Sequence, residues 1–156
     1  MFNEKEIKLA FDLKKQGLNW QPKKGDWYII LYEGKIPEGS NIQFYIQDYD
    51  YPEEQPPEEW KLWLPLWEQS RNWLKKYHWG MPTCVKDKDF DIIGPPGNIP
   101  TLKPIKKWNF YNLKSNGLTK YFKKNYLQAE GETDLEVIYQ IMLKVLKNNK
   151  QMKEKS

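Results

Sequence analysis

The chain has 156 residues, 25 basic against 21 acidic side chains for a formal charge of +4, 15% aromatic content and one cysteine. No stretch of about 18 apolar residues occurs, which excludes a membrane-spanning helix, and the single Cys84 argues against a disulfide-built secreted domain. All basic residues except Arg71 are lysine, so the bidentate fork that favours phosphate and guanine is nearly absent.

The charged amino terminus reads directly into a helix over residues 3–16, without a secretory leader, so a cytoplasmic protein is expected. Ile7, Ala10, Phe11 and Leu13 form the apolar stripe of that helix, and Gly17 ends it. Residues 26–32 are β-branched and aromatic and predict a strand. After a loop holding Gly34, Pro37 and Gly39, residues 41–47 alternate, with Ile42, Phe44 and Ile46 on one face and Gln43, Tyr45 and Gln47 on the other. The two strands predict a hairpin with one wet face. Residues 48–59 are acidic and contain Pro52, Pro56 and Pro57, which predicts an exposed, extended loop.

Five of the eight tryptophans follow within twenty residues. Trp63, Leu66, Trp67, Trp73, Leu74 and Tyr77 recur at spacings that predict one face of a helix beginning near Pro65. Beyond Gly80 and Pro82, short strands are expected at 83–85 and 90–93. Two aromatic runs, 107–113 and 118–127, then flank Asn116-Gly117, a hairpin signal because both turn positions accept positive φ. A two-residue turn there would set Tyr111 against Phe122 and Phe110 against Lys123. Thr133-x-x-Glu136 is a capping box. It predicts a last helix to about Lys147 that buries Leu135, Ile138, Tyr139, Met142 and Leu146. The expected architecture is one α+β domain over 1–147, with a disordered basic tail at 148–156. Its antiparallel sheet is built from two hairpins, and the N-terminal, central Trp-rich and C-terminal helices pack mainly on one face.

Residues that carry reaction chemistry are sparse. Cys84 and His78, the sole members of their types, leave a zinc site without its ligands and make a poor nucleophile and base pair. Asp87, Asp89 and Asp91 lack the glycine and the closing glutamate of a calcium loop. The pairs Glu53-Glu54 and Glu58-Glu59 sit in a proline-rich setting unsuited to tuned carboxylates. Neither a catalytic residue nor a metal or cofactor site is expected.

Binding is better represented. No acidic residue lies between Asp91 and Glu130, whereas that segment holds Lys103, Lys106, Lys107, Lys114, Lys120, Lys123 and Lys124. With Tyr111, Leu113, Leu118 and Phe122 turned to the core, the opposite face would carry Trp108, Phe110, Lys114, Tyr121 and Lys123. Such a mixture of rings and ammoniums can stack bases and hold a single-stranded nucleic-acid backbone. The alternative is that a helix covers these rings or that the acidic loop neutralises the hairpin. The tryptophan group offers a second surface: Trp60, Trp63 and Trp67 could present a patch to a protein partner, or form the core.

Three stretches, Trp20-Gln-Pro-Lys-Lys-Gly-Asp-Trp27, Trp63-Leu-Pro65 with Trp73-Leu74, and Gly131-Glu-Thr-Asp134, carry a resemblance across most of the chain. It resembles small uncharacterised proteins encoded by phages and prophages of low-GC Gram-positive bacteria. The resemblance implies a mobile-element origin and assigns no site residue. The expected function is that of a non-enzymatic accessory protein acting through protein–protein interaction or self-association. The alternative is a single-stranded nucleic-acid-binding module built on the basic aromatic hairpin 107–127.

Overall fold

The computed structural model describes residues 1–48, 54–76, 83–84, 106–111 and 126–154. Its elements run α1 (Glu4–Lys15), β1 (Trp27–Ile30), β2 (Phe44–Ile46), β3 (Lys61–Trp63), α2 (Trp67–Lys76), β4 (Thr83–Cys84), β5 (Lys106–Tyr111), β6 (Tyr126–Gly131) and α3 (Asp134–Glu154). The α+β class and the antiparallel pairing are as expected. The strands divide, however, into two three-stranded sheets, β2-β1-β3 and β4-β5-β6, instead of one. In the first sheet β3 takes the second edge of β1, which makes β1 the central strand and β2 and β3 the borders.

Both long helices start on side-chain caps, a full capping box at α1 and a threonine cap at α3, and the two caps interlock. Asn3 caps α1: its side-chain oxygen accepts the Glu6 amide at 2.8 Å, and Glu6 Oε2 accepts the Asn3 amide at 2.9 Å. Thr133 caps α3 by accepting the Glu136 amide at 3.1 Å. The side chains then cross over, with Thr133 Oγ1 donating to Glu6 Oε1 at 2.5 Å and Asn3 Nδ2 donating to Glu136 Oε1 at 3.0 Å. Glu136 Oε2 accepts the Glu132 amide at 2.9 Å. Both carboxylates are buried. Each carboxylate thus ties the start of one helix to the start of the other.

β1 and β2 pair with Trp27 opposite Ile46, Tyr28 opposite Tyr45 and Ile29 opposite Phe44. Gly25, at φ 92°, and Asp26 together oppose Gln47: the Gly25 amide donates to the Gln47 carbonyl, and the Gln47 amide to that of Asp26. This is a glycine-led β-bulge, and the left-handed φ is why glycine stands there. On the other side, β3 sets Leu62 against Ile29 and Lys61 against Ile30. Ile29, Leu31, Leu62 and Leu64 turn inward and join Ile7, Ala10 and Leu13 of α1 in the core.

α3 lies at the centre, in contact with α1, α2, β5 and β6. Ile138, Tyr139, Met142 and Leu146 are buried as expected, and Val137, Ile141 and Val145 are buried as well. One apolar stripe serves one neighbour; a helix held between other helices and a sheet needs a wider one. Leu135 is only half-buried. The helix also continues through Glu154, so 148–154 is helical and not a disordered tail. Its lysines, glutamine and methionine are good helix formers, and cations suit a helix C-terminus.

The second hairpin differs from the two-residue turn in register. Tyr111 pairs with Tyr126, Phe110 with Leu127 and Trp108 with Ala129, so Leu127 and not Lys123 opposes Phe110. The connecting residues, Asn116-Gly117 among them, lie outside the described residues, as do those expected to form a strand at 90–93. Gly131 explains the sheet's place against α3. A Cβ there would lie 2.8 Å from Cβ of Glu136 and 3.3 Å from Cγ2 of Val137, so only glycine lets the strand end approach the helix this closely.

Tyr139 donates its hydroxyl to the Pro65 carbonyl at 2.6 Å. Burial, reinforced by the charge of Glu6, raises its pKa well above 10.0. The neutral phenol is therefore the form that stabilises the fold. That stabilisation is complete below the unfolded-state pKa near 10 and is lost as pH rises through the folded-state value. Tyr139→Phe should cost about 1 kcal/mol in urea unfolding at neutral pH. It should also lose less stability than the wild type between neutral pH and pH 11.

Candidate protein-interaction surface

Of the three tryptophans expected to share a surface, Trp60 is 54% exposed, whereas Trp63 and Trp67 are half-buried. They do not form one face. Trp63 belongs to strand β3, and Trp67 opens α2 with its ring packed against the core. Trp73 and Leu74, deeper in α2, are buried. Tyr77 lies outside the described residues.

The outward face of the first sheet does carry rings and an ammonium together. Tyr28 stacks on Tyr45 with centroids 5.5 Å apart and meets Trp63 at 5.2 Å. Lys61 Nζ lies 5.1 Å from the Tyr28 ring centre and 5.3 Å from that of Trp63. The ammonium is only 1% exposed and is consumed internally, donating to Gln47 Oε1 at 2.9 Å and Glu58 Oε1 at 2.7 Å. It holds the acidic segment against the sheet and is closed to an external ligand.

In the second sheet, backbone register puts positions 108 and 110 opposite Ala129 and Leu127. Ala129 is buried, Leu127 packs against the core, and α3 covers that face. The small residues at 129 and 131 admit the helix there. Lys114, Tyr121 and Lys123 lie outside the described residues, so the five positions are not assembled into a platform among them.

The exposed apolar surface lies elsewhere, at the rim of the first sheet. Asn3, by capping α1, fixes the residue before it: the Phe2 ring stands 5.9 Å from Phe44 and 6.4 Å from Trp27. On the far side, Leu66 follows β3, its amide donating to Gln69 Oε1 at 2.7 Å. Gln69 donates in turn to the buried Asp26 carboxylate. Phe2, Trp27, Leu66 and Leu135 line a groove of about 340 Å³ with Glu6 at its floor. Both oxygens of Glu6 are already engaged by Asn3 and Thr133, leaving apolar contact as what the groove offers. Leu66 is 42% exposed, and Ile46, directly across the strands from Trp27, is 51% exposed. Only Phe2 had a local sequence signal, preceding an Asn-x-x-Glu cap. Leu66 and Leu135 reach the groove through tertiary packing alone.

A second depression of about 480 Å³ runs between α1 and residues 36–42. Its apolar floor of Phe11, Ile36 and Ile42 is ringed by Glu4, Lys8, Asp12, Lys15 and Glu38. Among the described residues, no three His, Cys, Asp or Glu side chains group as metal ligands, and no helix is long and apolar enough to cross a membrane. No family model, no curated protein and no solved structure matches the chain.

Proposed function

We propose that this protein is a non-enzymatic binding module of mobile-element origin, working in the cytoplasm through contact with another polypeptide, self-association included. The groove lined by Phe2, Trp27, Leu66 and Leu135 is the contact surface. The supporting observation is that two large exposed aliphatic side chains, Leu66 and Ile46, flank this one aromatic-walled depression. Covering the open part of each contributes about 1 kcal/mol, and the aromatic wall supplies a rigid seat for an apolar anchor of the partner.

Selection of a random peptide library on the immobilised protein tests this reading. Enriched peptides should carry apolar anchors and bind Leu66→Glu about 30-fold more weakly, the effect of losing roughly 2 kcal/mol at an interface centre. They should bind Lys8→Glu, at the rim of the other depression, as tightly as the wild type. Absence of enrichment, or equal binding to Leu66→Glu, would overturn the proposal.

A further inference from the structure

The two edges of the first sheet are treated differently. β3 turns its outer backbone toward α1, and there Lys14 Nζ donates to the carbonyls of Glu59 at 2.7 Å and Lys61 at 2.5 Å. That edge is closed to another strand, the service a lysine commonly performs on a sheet border. Burial lowers the Lys14 pKa, partly offset by Glu58 and Glu59.

β2 is the opposite border, with no strand beyond it among the described residues. Gln47 directs both its amide and its carbonyl to the β1 side. With a period of two, Tyr45 does likewise, and Phe44 and Ile46 direct theirs outward. Residues 40–47 contain no charged side chain and no proline, so the usual devices against edge pairing are missing there.

We infer that β2 pairs with β2 of a second copy, antiparallel, about a two-fold axis at Tyr45. The pattern is self-complementary: Phe44 of each copy exchanges both backbone hydrogen bonds with Ile46 of the other, and Tyr45 meets its twin in the intervening non-bonded position. The result is a continuous sheet in the order β3-β1-β2-β2-β1-β3, closed at both ends by Lys14. Because 40–47 is neutral, no like charges meet across the axis. Phe44 and Ile46 of both copies fall on one face, where they extend the apolar rim beside Trp27. The inference deepens the polypeptide-binding reading by naming a second copy as a partner and the strand edge as its seat.

Sedimentation equilibrium of the full chain tests it, together with amide hydrogen exchange at low and high protein concentration. The mass should rise from 18.9 kDa toward twice that value, and the Phe44 and Ile46 amides should become protected over the same range. Ile46→Lys, at an exposed position, should remain monomeric with an unchanged circular dichroism spectrum, while Leu66→Glu still dimerises. A monomer at every concentration, or a doubled mass without protection at Phe44 and Ile46, would overturn the inference. Dimerisation kept by Ile46→Lys but lost in Leu66→Glu would overturn edge pairing and leave the groove reading standing. Failure of the peptide selection with the edge dimer intact would remove the groove reading alone.

Discussion

Glu136→Ala should destabilise the protein by about 3 to 4 kcal/mol, lowering the melting temperature by roughly 10 °C in a chain of this size. The side chain is 3% exposed and accepts from the Asn3 carboxamide and the Glu132 amide. Its removal strands both donors and opens a cavity between the starts of α1 and α3. Glu136→Gln retains an acceptor oxygen and the volume, and should lose about 1 kcal/mol. Urea unfolding followed by tryptophan fluorescence separates the two variants. Equal losses would mean that the paired carboxylate oxygens, and not filled space, are what the residue contributes.

Asp26→Ala should be of similar size, about 3 kcal/mol, for a different reason. This buried carboxylate gathers three donors, two from the connection before β1 and one from α2: Trp20 Nε1 at 3.0 Å, the Lys23 amide at 2.9 Å and the Gln69 carboxamide. Alanine leaves all three unsatisfied. Asparagine keeps one oxygen for Trp20 and Lys23 but turns an amide group toward the amide of Gln69, whose own oxygen is held by Leu66. Asp26→Asn should therefore fall between wild type and alanine. Because Gln69 positions Leu66, Asp26→Ala should also weaken peptide binding at the groove. If it melted early yet bound normally, Leu66 would owe its position to packing.

Much of the fold was legible locally. The helical period through Ile7, Ala10 and Leu13, the alternation through Phe44 and the Thr133-x-x-Glu136 cap each announce their element, because short-range sterics and capping decide it. β3 was not legible: three residues, one of them a buried lysine, hardly alternate in polarity, and Trp63 imitated the first turn of the helix after it. The place of α3 against the second sheet was not legible either, since it depends on the room that Ala129 and Gly131 leave for a helix. The groove was the least legible. Its walls come from the residue before α1, from β1, from the β3–α2 link and from the first turn of α3, with no shared spacing in the chain.

The interlocked caps also bear on how the protein is made. Asn3 and Thr133 lie far apart in sequence, yet the start of each helix is tied to a side chain of the other. α3, which supplies much of the core, emerges last of the described elements. Until it does, α1 and the first sheet expose the surface it will cover, and closure over so long a separation in sequence is slow compared with local helix formation. The core shared by α1, the first sheet and α3 therefore stays open until α3 is available, and its closure is a single event that waits on that helix.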